Sequence, residues 1–189
     1  MKYLGNYRAK VLGTDAAETD KLGRIKVEVY PMLIGTTTAA NLTGVTGIEI
    51  EQLPWAVPAM PIFAGASNAG PTSSPGCFIV PEVGSFVWVF FENGDIYQPV
   101  YFAEAQTAEA GVPAERLTGY PYTKVWKSTG GVVITINDSD GNQDIKVLHP
   151  TGTYIQIDKD GNLLITSVGT STINSSGALA ITAPRIDLN

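Results

Sequence analysis

The feature that most constrains this chain is a narrow apolar stripe that repeats through its last third. From residue 123 onward, β-branched residues and leucines alternate with polar residues, in short runs separated by Asn, Asp, Ser and Gly turns. A period of two predicts β-strands with one apolar face. The stripe consists of Val132, Ile134, Ile136, Ile145, Val147, Ile155, Ile157, Leu163, Ile165, Leu179, Ile181, Ile186 and Leu188.

A single stripe of this kind cannot enclose a core within one chain, because neither helices nor a second apolar layer accompany it. Other copies must then supply the missing walls. Three chains around a common axis would share one interior and pair each other's strand edges. The sequence therefore predicts that residues 123–189 form an intertwined trimeric β-helix, or β-prism, with these residues as the trimer core.

Residues 1–105 are predicted to form a separate small barrel. Frequent Gly and Pro residues leave no long helical pattern, and about five strand candidates follow one another, as in an OB-fold. In the strand that begins at Arg24, alternation predicts that Lys26 faces water. The densest apolar run, Pro81–Asp95, is expected to be buried on both faces and to end in a two-residue hairpin turn at Asn93-Gly94.

The remaining segments are predicted to connect these elements. The Gly/Thr-rich insertion at 34–47 has too few large apolar residues for a core of its own, and 65–76 is rich in Gly, Ser and Pro, so both are expected to be surface loops. A brief helix-compatible run at 103–110 leads into a linker. The predicted organisation is an OB-fold domain at 1–105, a linker at 106–122 and a needle at 123–189, which makes the chain all-β.

Composition excludes several classes of protein. Lys and Arg number 12 against 18 Asp and Glu, for a net charge of -6, the wrong sign for binding that depends on phosphate neutralisation. One cysteine and one histidine cannot form an internal disulfide or a common Cys/His zinc site. The N-terminus lacks the apolar region of a secretory signal, so we expect synthesis in the cytoplasm.

Residues that could carry chemistry have simpler interpretations. His149 has no second ligand and is expected at a strand end, while Cys77 is expected to be a small buried hydrophobe. The acidic turn with Asp138, Asp140, Asn142 and Asp144 lacks the glutamate of a calcium loop, which favours a solvated turn. No paired carboxylates or activated nucleophile are recognisable, so we expect no catalytic residue, no cofactor and no metal.

The aromatic residues of the first domain leave two interpretations. Trp88, Phe90, Phe91, Tyr97 and Tyr101 could form a base-stacking platform of the kind that OB-folds use. Residues 1–122, however, carry a net charge of -5, which opposes binding to nucleic acid. Core packing is therefore the favoured expectation for all five.

Four segments carry a resemblance to a known family: Leu22–Val27, Pro54–Pro58, Pro81–Asp95 and Gln98–Tyr101. With these motifs in this order, the chain resembles the central spike proteins of contractile phage baseplates (baseplate assembly protein V) and the VgrG spikes of type VI secretion. The resemblance implies an OB-fold domain on a trimeric baseplate hub, followed by a triple-stranded β-helix that points at the target membrane. Residues 20–105 are its most specific part.

The same resemblance implies a biological setting. The protein would be a non-enzymatic virion component of the tail baseplate, or of a bacterial contractile injection particle, and would pierce the target outer membrane. Its partners would be two further copies and a hub protein, without nucleic acid. Either a separate PAAR-like tip protein would cap the needle, or the tip would be left blunt. Unlike some spikes, the chain has no room for a lysozyme domain and no terminal His-x-His iron site. Its tip would be formed by Ile186, Asp187, Leu188 and Asn189.

Two other functions are compatible with parts of the sequence. An OB-fold module for oligonucleotides or oligosaccharides, with a β-rich tail, is the alternative to the spike. A β-helical cell-wall hydrolase is disfavoured, because no paired carboxylates lie in a recognisable cleft context.

Overall fold

The chain folds into two compact units built from β-strands. The computed structural model describes residues 2–62, 75–107 and 111–187. The units are Met1–Gly111 and Val112–Asn189, so the division falls within the predicted linker. The all-β class predicted from the sequence is confirmed. Within the described ranges, no helix has the length and hydropathy needed to span a bilayer.

The first unit is a closed five-stranded barrel. Around the barrel the strand order is β1-β2-β3-β5-β4, and β1 closes it by pairing with both β2 and β4. The β3–β5 pair is parallel, whereas the other neighbours are antiparallel. This order is compatible with an OB-fold. The strands are β1 (Asn6–Thr14), β2 (Ile25–Glu28), β3 (Trp55–Pro58), β4 (Phe86–Phe91) and β5 (Pro99–Glu104).

The barrel interior is filled by every second residue of its strands. Ile25 and Val27 of β2 and Val89 of β4 are completely buried, because successive side chains of a strand point to opposite faces. Leu33 and Leu53 from the connecting segments complete this cluster. The first unit therefore has a hydrophobic core of its own.

The sequence predicts that strand β4 is buried on both faces, but only one face is buried. Val87, Val89 and Phe91 point into the barrel, whereas Phe86, Trp88 and Phe90 are only half-buried on its outside. The described residues therefore cover the outer side of this strand only in part.

The turn after β4 is also longer than predicted. Asn93 and Gly94 do have the expected positive φ values, 53° and 74°. They belong to a 3-10 turn at Glu92–Gly94, however, and strand pairing resumes with Phe91 opposite Pro99. The connection is therefore a loop of several residues rather than a two-residue turn.

Lys26 is buried instead of facing water, with 7% of its surface exposed. Its ammonium group donates hydrogen bonds to the carbonyls of Glu51, at 3.3 Å, and Leu53, and lies 4.3 Å from the centre of the Trp55 ring. Burial lowers the pKa of Lys26, against the opposing effect of nearby carboxylates. Alternation correctly places the side chain outside the barrel, but the segment before β3 covers it there.

The insertion at 34–47 is more ordered than a simple surface loop. It contains the short helix α1 (Thr36–Ala39) and buries Ile34 and Ala39. The Glu28 carboxylate accepts hydrogen bonds from the Gly35 amide, at 3.3 Å, and the Thr38 hydroxyl, at 2.8 Å. The small residues of the insertion are therefore held against the barrel by hydrogen bonds and by close contacts rather than by large apolar side chains. Of the second predicted loop, 65–76, residues 65–74 lie outside the described residues.

The second unit is a five-stranded antiparallel sheet in which each strand pairs with the next along the chain. A 3-10 turn at Ala114–Leu117 packs on its first strand, so part of the predicted linker belongs to this unit. The helix expected at 103–110 is absent from residues 103–107, and residues 108–110 lie outside the described residues. The strands are β6 (Thr123–Lys127), β7 (Val133–Asn137), β8 (Asp144–Leu148), β9 (Tyr154–Ile157) and β10 (Leu163–Thr166).

Candidate functional site

The predicted stripe folds into two rows of aliphatic side chains on one face of the second sheet. The pairing of β7 to β10 places these residues directly opposite one another, so that each row crosses four strands. We call this surface the aliphatic face. One row is Ile134, Val147, Ile155 and Ile165, and the other is Ile136, Ile145, Ile157 and Leu163.

The aliphatic face is largely exposed in the single chain. Ile155 is 52% exposed, Leu163 64% and Ile165 69%. On the opposite face of the same sheet, Val133 is only 5% exposed and Tyr154 is half-buried. Full burial of an aliphatic side chain is worth roughly 1.5–3 kcal/mol relative to exposure. The aliphatic face is therefore the surface of this unit that would gain most from being covered.

The first strand of the sheet ends the two rows differently. Trp126 lies opposite Ile134 and is 62% exposed, so it extends one row with an aromatic ring. Lys124 lies opposite Ile136 and forms an ion pair with Asp138, so it ends the other row with a charge. Val132, which was also predicted in the stripe, precedes β7 and is 37% exposed.

The last predicted core residues lie in a segment without regular structure. Leu179, Ile181 and Ile186 are 57%, 63% and 52% exposed. Among the described residues, none from 167 to 187 belongs to a helix or strand or makes a backbone–backbone hydrogen bond. The backbone N–H and C=O groups of this segment could therefore pair with another strand, and they would need such partners if the segment became buried. Leu188 lies outside the described residues.

The predicted tip is described only in part. Ile186 is exposed, and the Asp187 carboxylate accepts a hydrogen bond of 2.8 Å from the Arg185 guanidinium. Exposed ion pairs of this kind contribute little to stability. Leu188 and Asn189 lie outside the described residues.

The side chains of His149 and Asp144, which could carry chemistry, form hydrogen bonds with nearby residues. His149 Nδ1 lies 2.8 Å from the Thr151 hydroxyl in an exposed turn, and the Asp144 carboxylate accepts a hydrogen bond of 3.0 Å from Gln156. Cys77 is half-buried. In the described part of the chain, no group of three or more His, Cys, Asp or Glu residues is placed to hold a metal ion.

One cleft of about 570 Å³ lies beside the barrel. Phe78, Val80 and Val83 supply much of its lining. Asp15 also reaches it, but this buried carboxylate accepts a hydrogen bond of 3.0 Å from the Arg24 amide. Among the described residues that line the cleft there is neither a histidine nor a cysteine.

The aromatic residues divide between the core and the outer surface of the barrel. Phe91 and Tyr101 are buried as expected, at 4% and 5% exposed. The expectation of core packing is wrong for Trp88 and Phe90, which are half-buried on the outside, and for Tyr97, which is 74% exposed. Every residue of β4 is apolar, so the sequence of this strand did not show which residues point outward.

The outward aromatic residues lie on one side of the barrel, next to the cation of Arg8. The Arg8 guanidinium lies 5.3 Å from the centre of the Trp88 ring, and the rings of Phe90 and Phe102 are 6.0 Å apart. We call Arg8, Trp88, Phe90 and Phe102 the aromatic wall. It lies on the outer side of β1, β4 and β5.

Comparison with known proteins gives no family assignment. No protein-family model matches the chain, and no curated protein matches it in sequence. The aliphatic face and the aromatic wall are the two candidate interaction surfaces of the described chain.

Proposed function

We propose that the protein is a homotrimeric, non-enzymatic central spike of a contractile injection machine. Its barrel, an OB-fold, would dock on the baseplate hub, and its C-terminal part would form a trimeric β-helix that pierces the target outer membrane. The observation that carries this proposal is the exposed aliphatic face. A large exposed apolar face on an ordered sheet is typical of a surface that binds other chains, and further copies of this chain would bury it.

Three copies would cover the aliphatic face and pair the edge strands of the sheet more completely than two copies stacked face to face. In the described chain, the edge strands β6 and β10 each pair with only one neighbour. A face-to-face pair would cover the aliphatic faces but leave these edges open. A ring in which each copy uses one edge toward each neighbour can cover faces and edges together. The unpaired backbone of residues 167–187 would then find partners in the neighbouring chains.

The proposed mechanism is mechanical. In a trimer with shared strands, pulling one chain out would break hydrogen bonds and apolar contacts to both others. Force from sheath contraction would pass from the hub through the barrel into a stiff needle. A PAAR-like tip protein would cap the needle. By its resemblance to baseplate spikes, the protein would belong to the tail baseplate of a virion or to a bacterial injection particle.

The mass of the full chain in solution tests this proposal. We expect light scattering after gel filtration to give about three times the chain mass of 20.0 kDa. We also expect the trimer to survive mild detergent, because its apolar surface is internal. A mass of one chain would mean that residues 123–189 close on themselves, and the spike proposal would be wrong.

The aromatic wall favours a second candidate function, an OB-fold module that binds oligonucleotides or oligosaccharides. Exposed aromatic rings next to a cation can stack on bases or sugars. The net charge of -5 on residues 1–122 opposes the nucleic-acid version. Titration of a single-stranded oligonucleotide and of a glycan, with Trp88→Ala as the control, tests this candidate. Salt-dependent binding that Trp88→Ala abolishes would support it, and no binding would exclude it.

A further inference from the structure

The aromatic wall has the composition of a protein–protein contact. Trp and Arg are the residues most enriched among those that dominate binding energy at interfaces. Arg8 is exposed and forms no ion pair with any described residue. Phe102 is 39% exposed beside Phe90. The wall therefore offers an apolar surface and a cation that still lacks a carboxylate partner.

A second surface of the same barrel has the opposite charge. Glu18, Glu49 and Glu51 are all exposed, and none forms an ion pair within the described ranges. The Lys26 ammonium donates a hydrogen bond to the Glu51 carbonyl. The Glu18 amide donates to the Asp15 carbonyl, and the Asp15 amide donates to the carbonyl of Arg24, just before the strand of Lys26. Glu51 and Glu18 therefore border the same part of the barrel. We call these three residues the acidic rim.

The two surfaces lie on neighbouring sides of the barrel. Arg8 sits where β1 pairs with β4, opposite Trp88. Beside the acidic rim, Ile50 packs over Gly13, near the other end of β1, where β1 pairs with β2. Arg8 and Gly13 are five residue steps apart along the extended strand, a distance of about 17 Å. A head-to-tail contact closes into a ring when the rotation from copy to copy closes, which two surfaces on neighbouring sides of the barrel permit.

Threefold symmetry requires two such surfaces. Each copy in a ring of three touches one neighbour with one patch and the other neighbour with a different patch. We propose that the aromatic wall of each barrel contacts the acidic rim of the next copy, with Arg8 paired to Glu51 or Glu49. This inference rests on the proposed trimer. It adds that the barrels contact one another directly, in a head-to-tail ring.

The contact need not be strong on its own. Copies already joined through the C-terminal part would hold their barrels at a high effective concentration, of millimolar order for short linkers. Pairing Arg8 with a carboxylate would fix the register of the contact more than its affinity, because the cost of desolvating both charges offsets much of their attraction. The partner is therefore a second copy of this chain, and its acidic rim supplies the charge that the wall lacks.

Cross-linking in the full chain tests the head-to-tail ring. The variant Arg8→Cys/Glu51→Cys/Cys77→Ser carries one thiol on each surface, and a short bis-maleimide tolerates small offsets between them. The matched controls are Arg8→Cys/Cys77→Ser and Glu51→Cys/Cys77→Ser. We expect the variant with both thiols to give covalent dimers and trimers on a denaturing gel. We expect each control to stay a single chain, because like surfaces do not meet in a head-to-tail ring.

The outcomes separate this inference from the trimer itself. A trimeric mass without covalent species from the variant with both thiols would overturn the barrel contact and leave the trimer standing. Covalent dimers from either control would show that like surfaces meet, which also overturns the ring. A mass of one chain would overturn the proposed trimer. A charge test adds to this, because Lys10 is exposed on β1 two residues from Arg8, opposite Phe86. Arg8→Glu should reduce cross-linking between Lys10 and Glu51 by a carbodiimide, with Lys10→Arg as the control that lacks the amine.

Discussion

Tyr101 shows how one buried polar group ties distant parts of the barrel together. Its hydroxyl, on β5, donates a hydrogen bond of 2.6 Å to the carbonyl of Gly23, which lies just before β2. Burial raises the pKa of Tyr101 to about 12, and the nearby Asp15 carboxylate adds to this effect. The phenol is therefore held in its protonated form, as donor to a buried carbonyl.

Replacing Tyr101 with Phe should destabilise the barrel at neutral pH by about 1–2 kcal/mol, because the Gly23 carbonyl loses its donor. The difference between the two proteins should shrink above pH 10. There the unfolded wild-type chain loses its phenol proton while the folded chain keeps it up to a pKa of about 12. Stability of the wild type then falls with rising pH, and Tyr101→Phe lacks this contribution.

Urea unfolding at pH 7, 9, 10 and 11 measures both effects. Tyr97→Phe is a suitable control, since Tyr97 is 74% exposed and should show neither change. A gap between wild type and Tyr101→Phe that stays constant from pH 7 to 11 would contradict the assignment of a raised pKa.

At the residue scale, the sequence predicted the side of a strand better than the surroundings of a side chain. Alternation placed Ile25 and Val27 in the core, where they are completely buried. The burial of Lys26 could not be predicted, because it depends on Trp55 and the carbonyl of Leu53, which arrive from a distant segment. The outward position of Trp88 was hidden for a different reason, since all its neighbours on β4 are apolar.

At the scale of elements, local patterns predicted strands, and long-range contacts decided their pairing. The period of two predicted the strands of the second sheet, and short turns between them keep the two aliphatic rows in register. The parallel pairing of β3 with β5 places Val57 opposite Val100, and no local sequence pattern in either segment predicts this pairing. Strand existence is a local property, whereas barrel closure is not.

An aspartate on the aliphatic face should separate the copies without unfolding the chain. Ile155 is 52% exposed in the single chain, so Ile155→Asp should destabilise an isolated chain by only about 1 kcal/mol, through lost cross-strand contacts and lower β-propensity. In a trimer the same change would bring carboxylates into a shared apolar interior, which is strongly unfavourable. We therefore expect Ile155→Asp to have the mass of one chain by light scattering.

The matched control for Ile155→Asp lies on the other face of the same sheet. Thr166 pairs with Tyr154 and is exposed, so Thr166→Asp adds the same charge without touching the aliphatic face. It should remain trimeric. A trimeric Ile155→Asp variant, or dissociation of both variants, would argue against the aliphatic face as the shared core.

A substitution that disturbs the close contact between Gly47 and Thr36 in the insertion at 34–47 should destabilise the barrel. A Cβ added to Gly47 would lie 2.4 Å from the Thr36 Cα, and 2.7 Å from the Thr36 nitrogen, so backbone must move to admit it. Gly47→Ala should destabilise the barrel by about 1–3 kcal/mol in urea unfolding. Gly76→Ala, whose new Cβ meets no atom within 4 Å, should have little effect. Equal effects of the two changes would mean that the insertion is not held against the rest of the barrel.

At the scale of the whole molecule, the two units differ in what stabilises them. The barrel closes on itself and buries its own core, including Leu53 and Val89. The second unit leaves its most apolar face exposed, with Ile165 at 69%. A unit with its own core unfolds independently of concentration, whereas a unit that needs other copies is stabilised by mass action.

Thermal unfolding should therefore depend on concentration for the second unit. A tenfold increase in protein favours a trimer over its separated chains by about 2.7 kcal/mol per trimer, or about 0.9 kcal/mol per chain. For a unit of this size, that raises the midpoint by about 4 °C. Trp126 reports on the sheet, whereas Trp55 and Trp88 report on the barrel, so Trp126→Phe isolates the barrel signal. We expect the Trp126 transition to shift with concentration and the barrel transition to stay within about 1 °C, apart from any gain from contacts between barrels. A Trp126 transition that does not move over a hundredfold range would mean that the sheet unfolds as a single chain.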